Sequence, residues 1–165
     1  MKTYRKFNFS EGFLDHLGIQ LTHVNAQALS RLLEGVYCKT FPEVEANLKR
    51  IPITGGQIPG QSTDAVAAEL ADFLGAEILI LVKDVGGIFA SDPKENPGAR
   101  IIHKMSFEEL KKFIKFDTKA GQYGVLDSQA YQIIKRSKIR TFVVGPEFKF
   151  EEGTEIIKKK DDGLF

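Results

Sequence analysis

Cysteine is nearly absent, Cys38 being the only one in 165 residues. A lone thiol excludes an internal disulfide. The three histidines stand far apart, at 16, 23 and 103, so no zinc-ligand spacing exists and no metal centre built by the protein is expected. A reducing, cytoplasmic setting fits this usage. Surplus charge of one sign is also missing: 23 Lys and Arg face 22 Asp and Glu, leaving a net charge of +1. That balance excludes a nucleic-acid or membrane-surface binder working by bulk charge. Long apolar runs are absent too. The longest, residues 78–82, has strand length, far below the ~20 residues of a membrane helix. The opening MKTYRKFNFSEGF is positive but has no apolar stretch of roughly 7–15 residues behind it, so it is a poor signal peptide. Neither nucleic acid nor membrane is therefore an expected partner.

What is present is a folded composition, 42% hydrophobic and 27% charged. The length fits one domain of about 150 residues, which can bury roughly two thirds of its unfolded surface without staples. Residues 1–157 read as that domain. Residues 158–165, with Lys158-Lys159-Lys160-Asp161-Asp162, read as a solvated tail.

Periodicity and capping residues predict alternating elements. Residues 10–17 read as a short helix stopped at Gly18. Residues 22–34 read as a second helix with Val24, Ala28, Leu29, Leu32 and Leu33 inward, stopped at Gly35. Thr40-Phe41-Pro42-Glu43 is a cap with Pro in the first turn, opening a helix to about residue 49. A strand at 51–54, a loop, a helix over 63–74 ended by Gly75 and a nearly all-apolar strand at 77–83 make a βαβ unit. Its strands are expected to be parallel, and the second to be covered on both faces. After a second loop come a short strand at 100–103, a capping box at Ser106-Phe107-Glu108-Glu109 and a loop over 116–124. The chain then reads as a helix over 126–137 with Ala130, Ile133 and Ile134 inward, a strand at 139–144 and a last strand at 153–157. The fold class is α/β with a mainly parallel, helix-covered sheet.

In such sheets ligands bind where strand C-termini lead into loops. Residues 55–63 and 84–92 hold that position. The first loop, Gly55-Gly56-Gln57-Ile58-Pro59-Gly60-Gln61-Ser62, is glycine-rich and runs into a helix N-terminus. The N–H groups of Gln61, Ser62 and Thr63 would meet an anion there, phosphate above all. The same residues also suit an ordinary turn and N-cap. No lysine follows the last glycine, so this is not a Walker loop, and it is not GxGxxG. Asp64 is either a dipole-stabilising acid or a group organising the site, and Asp127, one position into its helix, is either a cap or part of the site. Lys83 must reach solvent or meet an anion. Asp92 either caps a turn or binds ribose, and Phe89 is either core or the wall of a base slot.

Together these residues resemble a known family. Gly55-Gly56-x-x-Pro59-Gly60-x-Ser62-Thr63-Asp64-Ala65-Val66-Ala67-Ala68, Leu74-Gly75-Ala76 and Asp84-Val85-x-Gly87-Ile88-Phe89-x-x-Asp92-Pro93-Lys94 are similar to the amino-acid kinase superfamily, in its archaeal UMP (uridylate) kinase branch. Phe13-Leu14-Asp15-x-Leu17-Gly18-Ile19 with Asn25-Ala26, and Val125-Leu126-Asp127 with the stretch from Ile133 to Thr141, agree. The resemblance implies a three-layer α/β sandwich and ATP-dependent phosphorylation of UMP to UDP with Mg²⁺, a step of pyrimidine nucleotide biosynthesis. It implies that Gln57, Ile58, Pro59, Gly60, Gln61, Ser62 and Thr63 hold the acceptor phosphate. Lys83, Asp84, Phe89 and Asp92 would hold ATP, and Asp64 and Asp127 would organise the catalytic site. The two loops are expected to act together as one cradle.

The family's opening strand and lysine- and glycine-rich phosphate loop find no match in these 165 residues. The catalytic lysine would then come from a separate N-terminal-lobe chain, or from a start placed further upstream. Otherwise the chain is an inactive nucleotide-binding or regulatory module. Lys83 stands where the family has a hydroxyl residue, Gly86 where it has an acid, and Phe89 where it has tyrosine. The Lys83-Asp84 pair resembles the turn of molybdate-storing relatives, an alternative function. An uncovered sheet edge implies an oligomer or a partner chain.

Overall fold

The computed structural model describes residues 8–93, 95–114 and 126–158. They fall into two compact units, divided between Val66 and Ala67.

In the first unit, helix α1 (Glu11–Leu32) begins at Ser10, whose side chain accepts from the Phe13 N–H. It is one helix where two are predicted, because Gly18 lies inside it. An interior glycine costs about 1 kcal/mol against alanine but leaves the hydrogen-bond ladder intact. The expected inward stripe is wrong as well. Val24, Leu29, Leu32 and Leu33 are exposed, Leu32 at 77%, while Leu14, Ala26 and Ser30 are buried. Periodicity locates an apolar stripe but cannot say which neighbour covers it. Strand β1 (Val36–Tyr37) pairs in parallel with β2 (Pro52–Ile53), and α1 packs on both. Between them α2 (Phe41–Ala46) is capped by Thr40, as its sequence predicts. Cys38 is buried beside it, and burial pushes its thiol pKa up.

Helix α3 (Thr63–Phe73) leads into the second unit. There β3 (Ile78–Val82), β4 (Lys104–Ser106), β5 (Arg140–Val144) and β6 (Thr154–Ile157) form one sheet in the order β3-β5-β6-β4. The β3–β5 and β4–β6 pairs are parallel and β5–β6 is antiparallel, so parallel pairing dominates the α/β fold. Two expectations fail at β3. It does not share a sheet with β2, whose partner β1 is too short to read from sequence. Nor is it covered on both faces: Leu79 and Leu81 are buried while Ile78, Ile80 and Val82 are exposed at the edge of the sheet. The expected strand at 100–103 is displaced to β4. Ile101 forms only an isolated bridge to Phe89.

Helix α4 (Phe107–Leu110) carries the expected capping box of Ser106 and Glu109. Helix α5 (Ser128–Ser137) buries Ala130, Tyr131 and Ile134, with Ile133 only half-buried. The loop expected at 116–124 falls outside the described residues. Side-chain links fix α5 between its neighbours. Asp72 of α3 accepts from Ser137 and from Arg136 at 2.5 Å, and Lys135 pairs with Glu108 of α4 at 2.8 Å. Across the open face of the sheet, Glu155 pairs with Arg140 at 2.6 Å and Lys104 at 3.3 Å.

These carboxylates set an acid limit. The Ser137 hydroxyl, and next to it the Arg136 guanidinium, hold the Asp72 carboxyl below its ordinary pKa against a smaller effect of burial. Burial pushes Glu155 up, but Arg140 and Lys104 together outweigh it and the net shift is down. A lowered folded pKa gives stability that is complete above the unfolded values of about 3.9 and 4.3 and is lost as pH falls through the folded ones. Thermal unfolding should therefore be insensitive to these groups between about pH 7 and 5 and weaken below about pH 4. The double variant Asp72→Asn, Glu155→Gln should flatten that acid limb.

Candidate functional site

The first loop follows β2 and is clamped to one face of α1. Asp15, Ile19, Thr22 and His23 recur at helical spacing and point at it. The Asp15 carboxylate accepts from the Gly60 N–H at 3.0 Å. The Thr22 hydroxyl accepts from the Gly56 N–H at 2.8 Å. The His23 Nε2 lies 2.8 Å from the Gly56 carbonyl, and its Nδ1 lies 3.0 Å from the Tyr37 hydroxyl. A carbonyl can only accept, so Nε2 carries the proton and Nδ1 takes the phenol hydrogen in the neutral ring. Gly55 is buried in this clamp. A Cβ there would lie 2.8 Å from Thr22 Oγ1 and 2.9 Å from the His23 nitrogen.

Each residue of this loop now has a place. Gln57 turns its amide nitrogen inward, between the carbonyls of Lys39 and Gly55 and the Thr54 hydroxyl. Ile58, Pro59 and Gly60 stand exposed at the tip, Gln61 is half-buried, and Ser62 and Thr63 are exposed at the start of α3. The Ser62 hydroxyl accepts from the Ala65 N–H at 3.0 Å, so it does serve as a cap. Asp64 is a half-buried acid in the first turn, where the positive end of the helix dipole favours it. Asp15, Thr22, His23 and Tyr37 support this loop without being singled out by the sequence. The helical spacing of Asp15, Thr22 and His23 is the available signal, and it gains meaning only because α1 is one helix, whereas Tyr37 on β1 carries no such signal.

The second loop leaves β3. The Lys83 N–H donates to the Val144 carbonyl at 2.8 Å, extending the β3–β5 ladder, and the Lys83 carbonyl accepts from Gly86 at 3.0 Å. Gly86 sits at φ +75°, the left-handed region that this turn needs and a side chain disfavours. The Ile88 N–H donates at 2.8 Å to the buried Thr154 hydroxyl. Strand-like bonds between 88–90 and 100–102 close the loop, and the Asp92 carbonyl accepts from the N–H groups of Glu95 and Asn96. Lys83 and Asp92 are half-buried and Asp84 is exposed.

A cleft of about 370 Å³ opens here, lined by Val85, Gly86, Phe89, Ile101, Gly145 and Pro146, with Glu147, Lys149 and Glu152 at its rim. It lies past the C-terminal ends of the parallel strands β3 and β5, and its size falls in the small-ligand range. Phe89 is thus a wall residue. The Gly145-Pro146-Glu147 segment was missed, although the rule of strand C-termini applied equally to the strand at 139–144. A second cleft of about 860 Å³ in the first unit runs along Gln27, Arg31, Tyr37 and Arg50, and includes none of the expected site residues.

Asp127 is the N-cap of α5, its Oδ1 accepting from the N–H groups of Gln129 and Ala130 at 2.8 and 2.9 Å. Losing this cap in Asp127→Ala should cost about 1 kcal/mol. Asp127→Asn keeps a good cap and should restore stability in thermal unfolding. Activity lost in the asparagine variant at wild-type stability would mark a role in the site beyond capping.

Among the described residues, no three His, Cys, Asp or Glu side chains gather to hold a metal, and no helix is long and apolar enough to cross a membrane. The sequence matches the Amino acid kinase family over residues 8–145. The chain belongs to the amino acid kinase family. Within it, the chain is similar to uridylate kinases. It is 41% identical to that of Pyrococcus abyssi over 150 residues, which are 85% of this chain and 65% of the relative. It is 37% identical to that of Thermococcus kodakarensis, over 96% of this chain and 73% of the relative. The crystal structure of Archaeoglobus fulgidus uridylate kinase superposes with a TM-score of 0.80 at 33% identity, over 94% of this chain and 77% of that one. The chain therefore spans about two thirds to three quarters of the length of these relatives.

Proposed function

We propose that this chain is the nucleotide-handling part of a uridylate kinase, transferring the γ-phosphoryl group of ATP to UMP. One observation carries the reading: the cleft past the strand C-termini of the second unit is lined by Val85, Gly86 and Phe89, from the loop read as the ATP site. Relatives named uridylate kinase, 37–41% identical over 85–96% of this chain, support the reading.

In this reading the 57–63 loop holds the acceptor phosphate at the N-terminus of α3, and Asp15, Thr22 and His23 keep it in place. A phosphate oxygen of UMP attacks the γ-phosphorus. The bond to the bridging oxygen breaks, and ADP leaves with that oxygen. Phosphoryl transfer of this kind rests on positioning and charge neutralisation rather than on covalent chemistry by the protein. Lys83 supplies positive charge at the donor loop. A Mg²⁺ ion arriving on the nucleotide would need only one or two carboxylates besides phosphate oxygens, and exposed Asp84 and half-buried Asp92 are the donor-loop residues that would hold it. When bound, the ion shields the phosphates and withdraws charge from the leaving oxygen. The second copy or companion chain expected from the sequence belongs to this reading too.

The direct test is ATP-dependent formation of UDP from UMP, followed by chromatography with AMP and CMP as competing acceptors. UDP as the main product supports the proposal. ATP binding without turnover overturns the enzymatic claim and leaves a nucleotide-binding module. Molybdate retention without nucleotide binding favours the oxoanion-storage reading.

A further inference from the structure

The donor cleft is chemically lopsided. Val85, Phe89, Ile101 and Pro146 are apolar, whereas Glu147, Lys149 and Glu152 stand together at the rim. The Lys149 ammonium lies 3.2 Å from Glu152 Oε1 and 3.5 Å from Glu147 Oε2. Two carboxylates share one ammonium, so the rim is net negative. A polyphosphate placed there would meet like charge at short range. Hydroxyl groups would not: each can donate to a carboxylate, and a vicinal pair can also accept from an ammonium.

The Lys149–Glu152 pair is held in position. Besides the side-chain bond, the Glu152 N–H donates to the Lys149 carbonyl at 3.2 Å, closing the turn at Phe150–Glu152. Both side chains reach solvent, Glu152 at 67% exposure, so a ligand can meet them. Gly86, on the other loop that lines the cleft, donates its N–H to the Lys83 carbonyl and stands against Gly145. A nucleoside triphosphate bound with its base against Phe89 would turn its sugar edge to Glu152 and Lys149 and keep its phosphates away from those carboxylates.

Resting on the donor-site reading above, we propose that Glu152, held by Lys149, hydrogen-bonds the ribose hydroxyls of the donor and makes the cleft selective for ribonucleoside over deoxyribonucleoside triphosphates. These residues determine specificity and take no part in the transfer itself.

Calorimetric titration of the full chain with ATP, 2′-deoxy-ATP and 3′-deoxy-ATP in Mg²⁺ buffer tests this. The wild type should bind ATP about tenfold more tightly than at least one deoxy analogue, as expected for a charge-assisted bond at a solvent-exposed rim. Glu152→Gln and Lys149→Met should bring that ratio to within about twofold while affinity for the deoxy analogue changes little. A purely structural role would lower all three affinities together, with the ratio intact, and would overturn the inference. ATP and both analogues binding the wild type equally would overturn it alone. No ATP binding at all would overturn the donor-site reading, and this inference with it.

Discussion

Gly55→Ala is expected to remove acceptor binding. The new methyl would sit 2.8 Å from Thr22 Oγ1, 2.9 Å from the His23 backbone nitrogen and 3.0 Å from its ring. The hydroxyl can turn aside, but the helix backbone cannot, so the loop must move off α1. That movement breaks the bonds from Gly56 N–H to Thr22 and from His23 to the Gly56 carbonyl. Overpacking of this kind costs about 1–3 kcal/mol, and each 1.4 kcal/mol is about tenfold in affinity. UMP titration should show a loss of roughly ten- to a hundredfold, with a lowered unfolding temperature. Unchanged UMP affinity in a folded Gly55→Ala protein would mean that the clamp does not shape the acceptor loop.

Thr154→Val is expected to damage the donor loop as strongly. Valine matches the shape of threonine, so packing survives and the hydroxyl alone is lost. Thr154 is fully buried, and its oxygen is the 2.8 Å acceptor for the Ile88 N–H, 66 residues away in sequence. Without it, a buried donor is left unsatisfied at a cost of about 1–3 kcal/mol. The loop carrying Phe89 should loosen, and ATP affinity and unfolding temperature should both fall. Thr154→Ser keeps the hydroxyl and should recover most of the ATP affinity. Equal ATP affinity in wild type and the valine variant would show that this bond does not position the loop.

The local elements were legible where a residue's own chemistry decides them. Ser10, Thr40, Ser106 and Asp127 cap helices because a short polar side chain reaches an orphan N–H two or three residues on. Gly18 does not mark a helix end, because a glycine is compatible with both a helix interior and a helix end, and only packing along the whole of α1 chooses between them. The stripe of Val24, Leu29, Leu32 and Leu33 does not mark an inward face, because amphipathicity has no sign until a neighbour is known. The apolar run of β3 suits a doubly covered strand, and the same run serves equally at a sheet edge.

By itself, then, the sequence determined the α/β class, the glycine-rich 55–63 loop ahead of a helix, the 84–92 loop after a strand and the family to which both point. It could do so because these features depend on contacts within a few residues. Tertiary structure alone decided that Asp15, Thr22 and His23 clamp the first loop, that Thr154 anchors the second, and that Glu147, Lys149 and Glu152 meet at the rim of the cleft. The clamp and anchor partners lie tens of residues apart along the chain, and the Glu147–Glu152 turn, though local, meets Phe89 and Gly86 only after the sheet has assembled.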